Sequence, residues 1–328
     1  MEALRLENIP SSEASLSVVQ KNDKKNPFIE ANTVEASLEE IKAHHVIPVF
    51  HRDNQPLISH AEFIELTSEI VQQHFKPERI LQPSIRLSHP IKGRIFEARY
   101  KSANELEEWE KTLWYERMCF VIEIPSISDE IDGQRISLTV GGIKAFNLDS
   151  LNSKKGVDQH FKIFCGFSVA VCSNLCIWTD GIKTDVKVKD LQQLAVAIDD
   201  LVLSFDAITQ LKKMEELRNL SLTEQQFAHL IGKCKMYQFL SAGQKKAVPE
   251  LLFGEQQIAT ICRDYYKDES FAKDENGSIN LWKLYNLFTS SNKSSFIDSF
   301  ADKAVNSSEF IQTIGYAIKH KEEHWFLN

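Results

Sequence analysis

Glycine is scarce in this chain, at 12 of 328 residues, where average usage of roughly 7% would supply about twice that number. Glycine-rich phosphate-binding loops are therefore disfavoured. None of the patterns G-x-x-x-x-G-K-[ST], G-x-G-x-x-G and G-x-S-x-G occurs, which removes the usual signatures of nucleotide hydrolysis and ordinary serine catalysis. Long apolar runs are missing too: no stretch approaches the roughly 20 residues that span a bilayer. The polar opening MEALRLENIPSSEASLSVVQKNDKK carries no apolar signal core, so a cytoplasmic location is expected. Six cysteines, Cys119, Cys165, Cys172, Cys176, Cys234 and Cys262, are few for this length, and in a reducing compartment they are expected to remain thiols. A net charge of -8 with pI near 5.7 argues against coating duplex DNA through bulk charge, while leaving room for a local basic groove.

What is present is globular: 43% hydrophobic and 26% charged residues support a folded core without collagenous or coiled-coil character. The densest stretch is His160 to Ile182, HFKIFCGFSVAVCSNLCIWTDGI, which gathers four aromatic residues, three cysteines and a Ser-Asn corner. It reads as a buried strand, a turn and the passage into a helical half.

Residues 1–27 scatter their apolar side chains too thinly to bury a face and read as a mobile arm. A short helix is predicted from Thr33 to His44, then an extended VIPVF segment. Ser59 and Glu62 form a capping box ahead of a helix from His60 to Phe75. From Ser84 onward the period is that of strands, with runs at Ser84–Leu87, Arg94–Tyr100, Met118–Ile124, Arg135–Val140, Gly142–Asn147 and His160–Val171. Asp132-Gly133 supplies the reversal of a hairpin. A second capping box, Ser102 with Glu105, predicts a helix from Asn104 to Tyr115 that buries Leu106, Trp109 and Leu113. Beyond Gly181 helical spacing dominates: one long helix from Leu191 to about Asn219, another capped by Ser221 and Glu224, and others near 254–266, 279–288 and 295–319. The fold expected is α+β, an antiparallel sheet region with flanking helices (28–181) followed by an all-helical C-terminal lobe (182–328).

Three arrangements imitate metal or thiol chemistry. His320-Lys321-Glu322-Glu323-His324 fits H-x-x-E-H, yet only four residues follow to supply a third zinc ligand, so it reads as a solvated helix end. Asp274 to Ser278 resembles the middle of a calcium loop, but placing Gly277 at its sixth position puts Ala272 first and Lys283 twelfth, where carboxylates are required. Cys165, Cys172 and Cys176 lack a nearby histidine. Cys165 shares a strand face with Phe167 and Val169 and reads as a small buried hydrophobe. No catalytic residue, metal ligand or cofactor is assigned.

Lysine clusters at Lys154-Lys155, Lys183–Lys189, Lys233–Lys235 and Lys245-Lys246 lie near Trp178, Tyr237 and Phe239, an interleaving that suits single-stranded nucleic acid, although acidic neighbours dilute it. Asn286 sits in a helix apolar nearly all round and is expected to pin an adjacent turn. Asn174 is expected to bond its own turn, with loop recognition as the alternative.

The phrases HPIKGRIFEA, EWEKTLWYERMCFVIEIPSI, LTVGGIKAFNLD, SKKGVDQHFKIFCGF, VCSNLCIWTDG, TEQQFAHLIGKCKMYQ, VPELLFG and INLWKLYNLFTSSNKSSFID resemble an uncharacterised bacterial family carried on conjugative transposons and plasmids, domain of unknown function family 3871. V-C-S-N-L and L-Y-N-L-F-T are also similar to a broader plasmid- and phage-related family of unknown function. The resemblance implies an accessory protein of mobile DNA and no catalytic residues to carry over. The function expected is non-enzymatic binding of nucleic acid or a protein partner, with Arg94, Lys154, Lys155, Asn174 and Trp178 as surface candidates. The alternatives are an enzyme with a site in the cleft between sheet and helical lobe, and a decoy of a host defence protein. No membrane contact is expected.

Overall fold

The computed structural model describes residues 26–45, 57–149 and 158–328. In chain order its elements are β1 (Val34–Glu35), α1 (Leu38–His44), α2 (His60–His74), β2 (Ser84–Leu87), β3 (Pro90–Arg94), β4 (Lys111–Tyr115), β5 (Arg117–Ile131), β6 (Gln134–Ala145), β7 (Gln159–Val169), β8 (Leu175–Cys176) and β9 (Ile182–Val188). There follow α3 (Leu191–Ser204), α4 (Ala207–Leu217), β10 (Ser221–Leu222), α5 (Glu224–Tyr237), α6 (Ala242–Lys245), α7 (Glu255–Lys267), β11 (Ile279–Asn280), α8 (Leu281–Asn292) and α9 (Ile297–His320). The architecture is α+β, as the order of periodicities predicts.

An antiparallel sheet runs β1-β2-β5-β6-β7-β8, with β9 also paired to β7. Its centre is the β5–β6 hairpin, closed by Asp132 at φ 53° and Gly133 at φ 76° with Ile131 opposite Gln134. Alternation assigns the two faces. Met118, Phe120, Ile122 and Ile124 share the core of Phe63 and Ile64 from α2. Cys119 and Val121 turn the other way, against Phe300, Ala301 and Ala304 of α9 and against Phe28 and Ile29. Each fully buried aromatic or aliphatic side chain contributes about 1.5–3 kcal/mol. Lys162 fastens α9 to the second face, its Nζ lying 2.6 Å from Asp302 Oδ2 and 2.8 Å from the Asp298 carbonyl.

Strands predicted as two runs, Arg135–Val140 and Gly142–Asn147, are a single β6. The glycines between them are clearances rather than breaks. A Cβ on Gly141 would stand 2.4 Å from the Phe120 carbonyl oxygen, and one on Gly142 would stand 2.3 Å from the Phe63 ring.

The helix predicted over Asn104–Tyr115 does not form. Carboxylates of Glu105 and Glu110 accept the N–H groups of Ser102 and Glu107 at 2.8 Å each, closing single 3₁₀ turns at Ala103–Glu105 and Glu108–Glu110. The T-L-W-Y tail then pairs with β3 as a two-stranded ribbon, Ile91 opposite Trp114. Trp109, expected in the core, is 70% exposed. The run predicted at Arg94–Tyr100 is the end of β3 followed by a 3₁₀ turn at Phe96–Ala98.

Other boundaries move by local capping. The first helix starts at Leu38, where the Ser37 hydroxyl accepts the Glu40 N–H at 3.1 Å. The single helix expected from Leu191 to Asn219 breaks at Phe205-Asp206, because Phe205 turns in toward Phe167 and Asp206 caps α4 by accepting the Thr209 N–H at 3.0 Å. Thr223 with Gln226, rather than Ser221 with Glu224, caps α5. Asn280 caps α8, its Oδ1 accepting the Lys283 N–H at 2.8 Å. Strand pairing also continues past Gly181 as β9, and α3 packs on α2, β7 and β9. The VIPVF segment and residues 1–25 of the expected arm lie outside the described residues.

Candidate functional site

The Ser-Asn corner is where sheet and helices are bolted together. Ser173 takes φ 56°, its N–H bonds the Val169 carbonyl at 2.8 Å, and the Val169 N–H bonds the Asn174 carbonyl at 3.0 Å. The turn is thus closed by backbone. The Asn174 side chain is released to reach across to α8, where Nδ2 donates to the Asn286 carbonyl at 3.1 Å. Asn286 in turn donates to the Trp282 carbonyl at 3.0 Å. Trp178 sits against Tyr285 with ring centroids 6.2 Å apart.

The expectation that Asn174 and Trp178 offer a surface is corrected: they are 0% and 1% exposed. Apolar neighbours on both sides draw the corner inside. Asn174 also departs from the expected self-bonded turn, since its side chain serves a distant helix. Asn286 is fully buried, as expected.

Thiol chemistry has no support at this block. Burial pushes the Cys165 thiol up to about 12 and raises those of Cys172 and Cys176, opposite to what a nucleophile requires. Among the described residues no three His, Cys, Asp or Glu side chains gather as a metal site. In the loop resembling a calcium site, Lys283 Nζ sits 2.6 Å from Asp274 Oδ1 and supplies the positive charge itself. α9 ends at His320, with Lys321 left-handed at φ 56°, so His320 and His324 do not share a helix face. His324 is buried rather than solvated, with its Nε2 3.1 Å from the Thr313 hydroxyl.

A cluster missed from sequence lies near the other end of the sheet. Lys144 and Asp149, whose side chains are both 0% exposed, pair at 2.6 Å, and Asp149 Oδ1 also accepts the His160 N–H at 2.7 Å. Lys144 Nζ stands 4.2 Å from the Phe161 ring centroid. Close by, His60 Nε2 donates to the Tyr115 carbonyl at 2.8 Å, while the Tyr115 N–H donates to His45 Nδ1 at 3.3 Å. The two imidazoles stack at 4.7 Å. Burial pushes His45 down to about 4. It also holds His60 well below the usual range, with the neighbouring His45 and Lys144 charges acting in the same direction. A lysine inside the apolar strand G-G-I-K-A-F was the available signal, because such a charge needs a buried partner.

The exposed candidates are elsewhere. Arg94 ends β3, all of whose residues are exposed, and its guanidinium donates to the Lys101 carbonyl. Beside it, Tyr100 is 85% exposed with Arg99 over its ring at 4.4 Å. Lys101 Nζ lies 2.5 Å from Glu110 and, with the Glu107 N–H, holds that carboxyl below its usual range. Lys154 and Lys155 lie outside the described residues. Among the described residues the structure therefore brings none of the predicted site residues together except Asn174 and Trp178, and it buries those. Where the ribbon base meets the start of α9, a hollow of about 210 Å³ is lined by His89, Ile91, Glu116, Arg117 and Phe296 among others.

A family model described as "Domain of unknown function, B. Theta Gene description (DUF3871)" matches residues 12–327. No curated protein and no solved structure matches.

Proposed function

The chain belongs to this family of unknown function, and from that premise we propose that it is a non-enzymatic accessory protein of a conjugative or other mobile genetic element. It acts in the cytoplasm by binding nucleic acid or a protein partner. The observation that carries this reading is the distribution of chemistry-bearing groups. Lys144, Asp149 and His60 are sealed in the core, whereas Tyr100, Trp109 and Phe239 stand on the outside at 85%, 70% and 84% exposure, with the Arg99 guanidinium over the Tyr100 ring. Aromatic and cationic side chains on a surface are the usual anchors of macromolecular recognition.

The rival reading, catalysis in a cleft between the sheet and the helices, has weaker support. In the hollow by α9 the Arg117 guanidinium is already engaged by Glu116 at 3.4 Å and Asp298 at 3.6 Å. Affinity capture of the tagged protein from its host, with and without nuclease, tests the proposal. Nuclease-sensitive recovery, or a stoichiometric partner that rebinds once purified, is the expected result. Recovery of neither would sink it.

A further inference from the structure

Past the C-terminal end of α5 the chain makes a tight corner, Gln238 to Ser241, before α6. Tyr237 points inward at 5% exposure, and the reversal that buries it throws Phe239 outward at 84%. Met236, 58% exposed, is adjacent, its carbonyl accepting the Phe239 N–H at 3.0 Å. Lys245 folds back over this corner, its Nζ 3.5 Å from the Gln238 carbonyl and 5.1 Å from the Tyr237 ring centroid. Lys235 and Lys246 are exposed on either side, and Ser241, Ala242 and Gly243 between them are exposed and small. Lys233 is occupied elsewhere, over the Trp325 ring at 4.7 Å. From residue 233 to 250 the sequence holds four lysines against one carboxylate, Glu250, in a chain whose net charge is -8.

We propose that this α5–α6 corner is a binding surface for single-stranded nucleic acid. An unstacked base lies on the Phe239 ring, and the flanking phosphates meet Lys235, Lys245 and Lys246. This rests on the partner-binding reading above and names the partner. Local positive charge on an acidic chain selects a polyanion. The aromatic ring selects one whose π-faces are free, which a duplex conceals within its stack. One ring, one thioether and a row of small or polar residues fall short of the apolar face that an interfacial membrane helix needs.

Fluorescence anisotropy of the full chain with a fluorescein-labelled oligothymidylate, a duplex of equal length and anionic phospholipid vesicles decides the matter. The expected result is oligothymidylate binding at low salt, weaker duplex binding, and a log–log salt slope near about −2 for three phosphate contacts at roughly 0.7 each. Phe239→Ala should weaken binding about 5- to 100-fold while leaving thermal melting unchanged, and Phe239→Trp should retain it. Lys245→Gln and Lys246→Gln should each flatten the slope by about 0.7. Oligothymidylate binding that ignores all these substitutions places the contact elsewhere and overturns this surface, while the broader reading stands. Binding to vesicles alone overturns it as well. Absence of oligothymidylate binding, together with no partner in the capture experiment, overturns both.

Discussion

The side-chain amide of Asn174 donates to the main-chain carbonyl of Asn286, 3.1 Å away and 112 residues distant in sequence. That bond joins the turn after β7 to the most buried helix of the C-terminal half. Asn286 closes the relay on its own helix through the Trp282 carbonyl. A buried amide that donates from one element to another specifies how the two meet, because another docking would leave that donor unpaired.

Asn174→Ala is accordingly expected to destabilise the protein by about 1–3 kcal/mol. Asn286→Ala should do the same, and the double variant should cost less than the sum because the residues are in contact. Urea unfolding midpoints of the three variants test this. Full additivity would remove the coupling.

Asp149→Ala would leave the Lys144 ammonium in the core without its carboxylate, at a cost of about 3–5 kcal/mol. Exchanging both partners for apolar residues, Lys144→Met with Asp149→Leu, should recover much of that loss. If the double variant is as unstable as the single one, the pair is needed for more than charge compensation.

His45 and His60 give stability a dependence on pH whose sign follows from burial. Unfolded histidines titrate near 6.5, whereas the folded chain holds His45 at about 4 and His60 well below its usual range. Between these limits the unfolded state binds protons that the folded state refuses. The contribution is therefore complete above pH 6.5 and declines as pH falls toward 4. Urea midpoints measured from pH 7 to 4.5 should drop, and His45→Gln should shallow the decline. An NMR titration showing either imidazole protonating near 6.5 in the folded protein would contradict this.

Thiol labelling gives a further test. Cys119, Cys165, Cys176 and Cys234 are buried, and only Cys172 and Cys262 are half-buried. Ellman's reagent should reach those two in the native protein and all six cysteines once guanidinium unfolds it. Rapid labelling of Cys165 under native conditions would show that the β7 face is open.

Much of the fold was legible without coordinates. Ser59 and Glu62 started α2 where predicted, Asp132-Gly133 turned the hairpin, and the continuous apolar surface of α8 announced its burial. The misreadings share a cause. Ser102 with Glu105 is a helix-start signal, but the same contacts close a single turn, and the β-branched and aromatic residues that follow found a partner strand in β3. Likewise the three-to-four spacing from Leu191 to Ile208 continued through Phe205-Asp206 although the chain did not, because Asp206 caps as readily as it propagates.

The sequence by itself determined the order of a sheet followed by helices, the Ser59–Glu62 start of α2 and the inwardness of Cys165 and Asn286, since each is written in spacing within a few residues. Tertiary structure alone decided that Asn174 and Trp178 face inward, that Lys144 finds Asp149, and that Phe239 faces water while Tyr237 does not. A turn and a surface loop carry the same letters. Which of the two a segment becomes depends on whether a distant element, here α8, arrives to cover it.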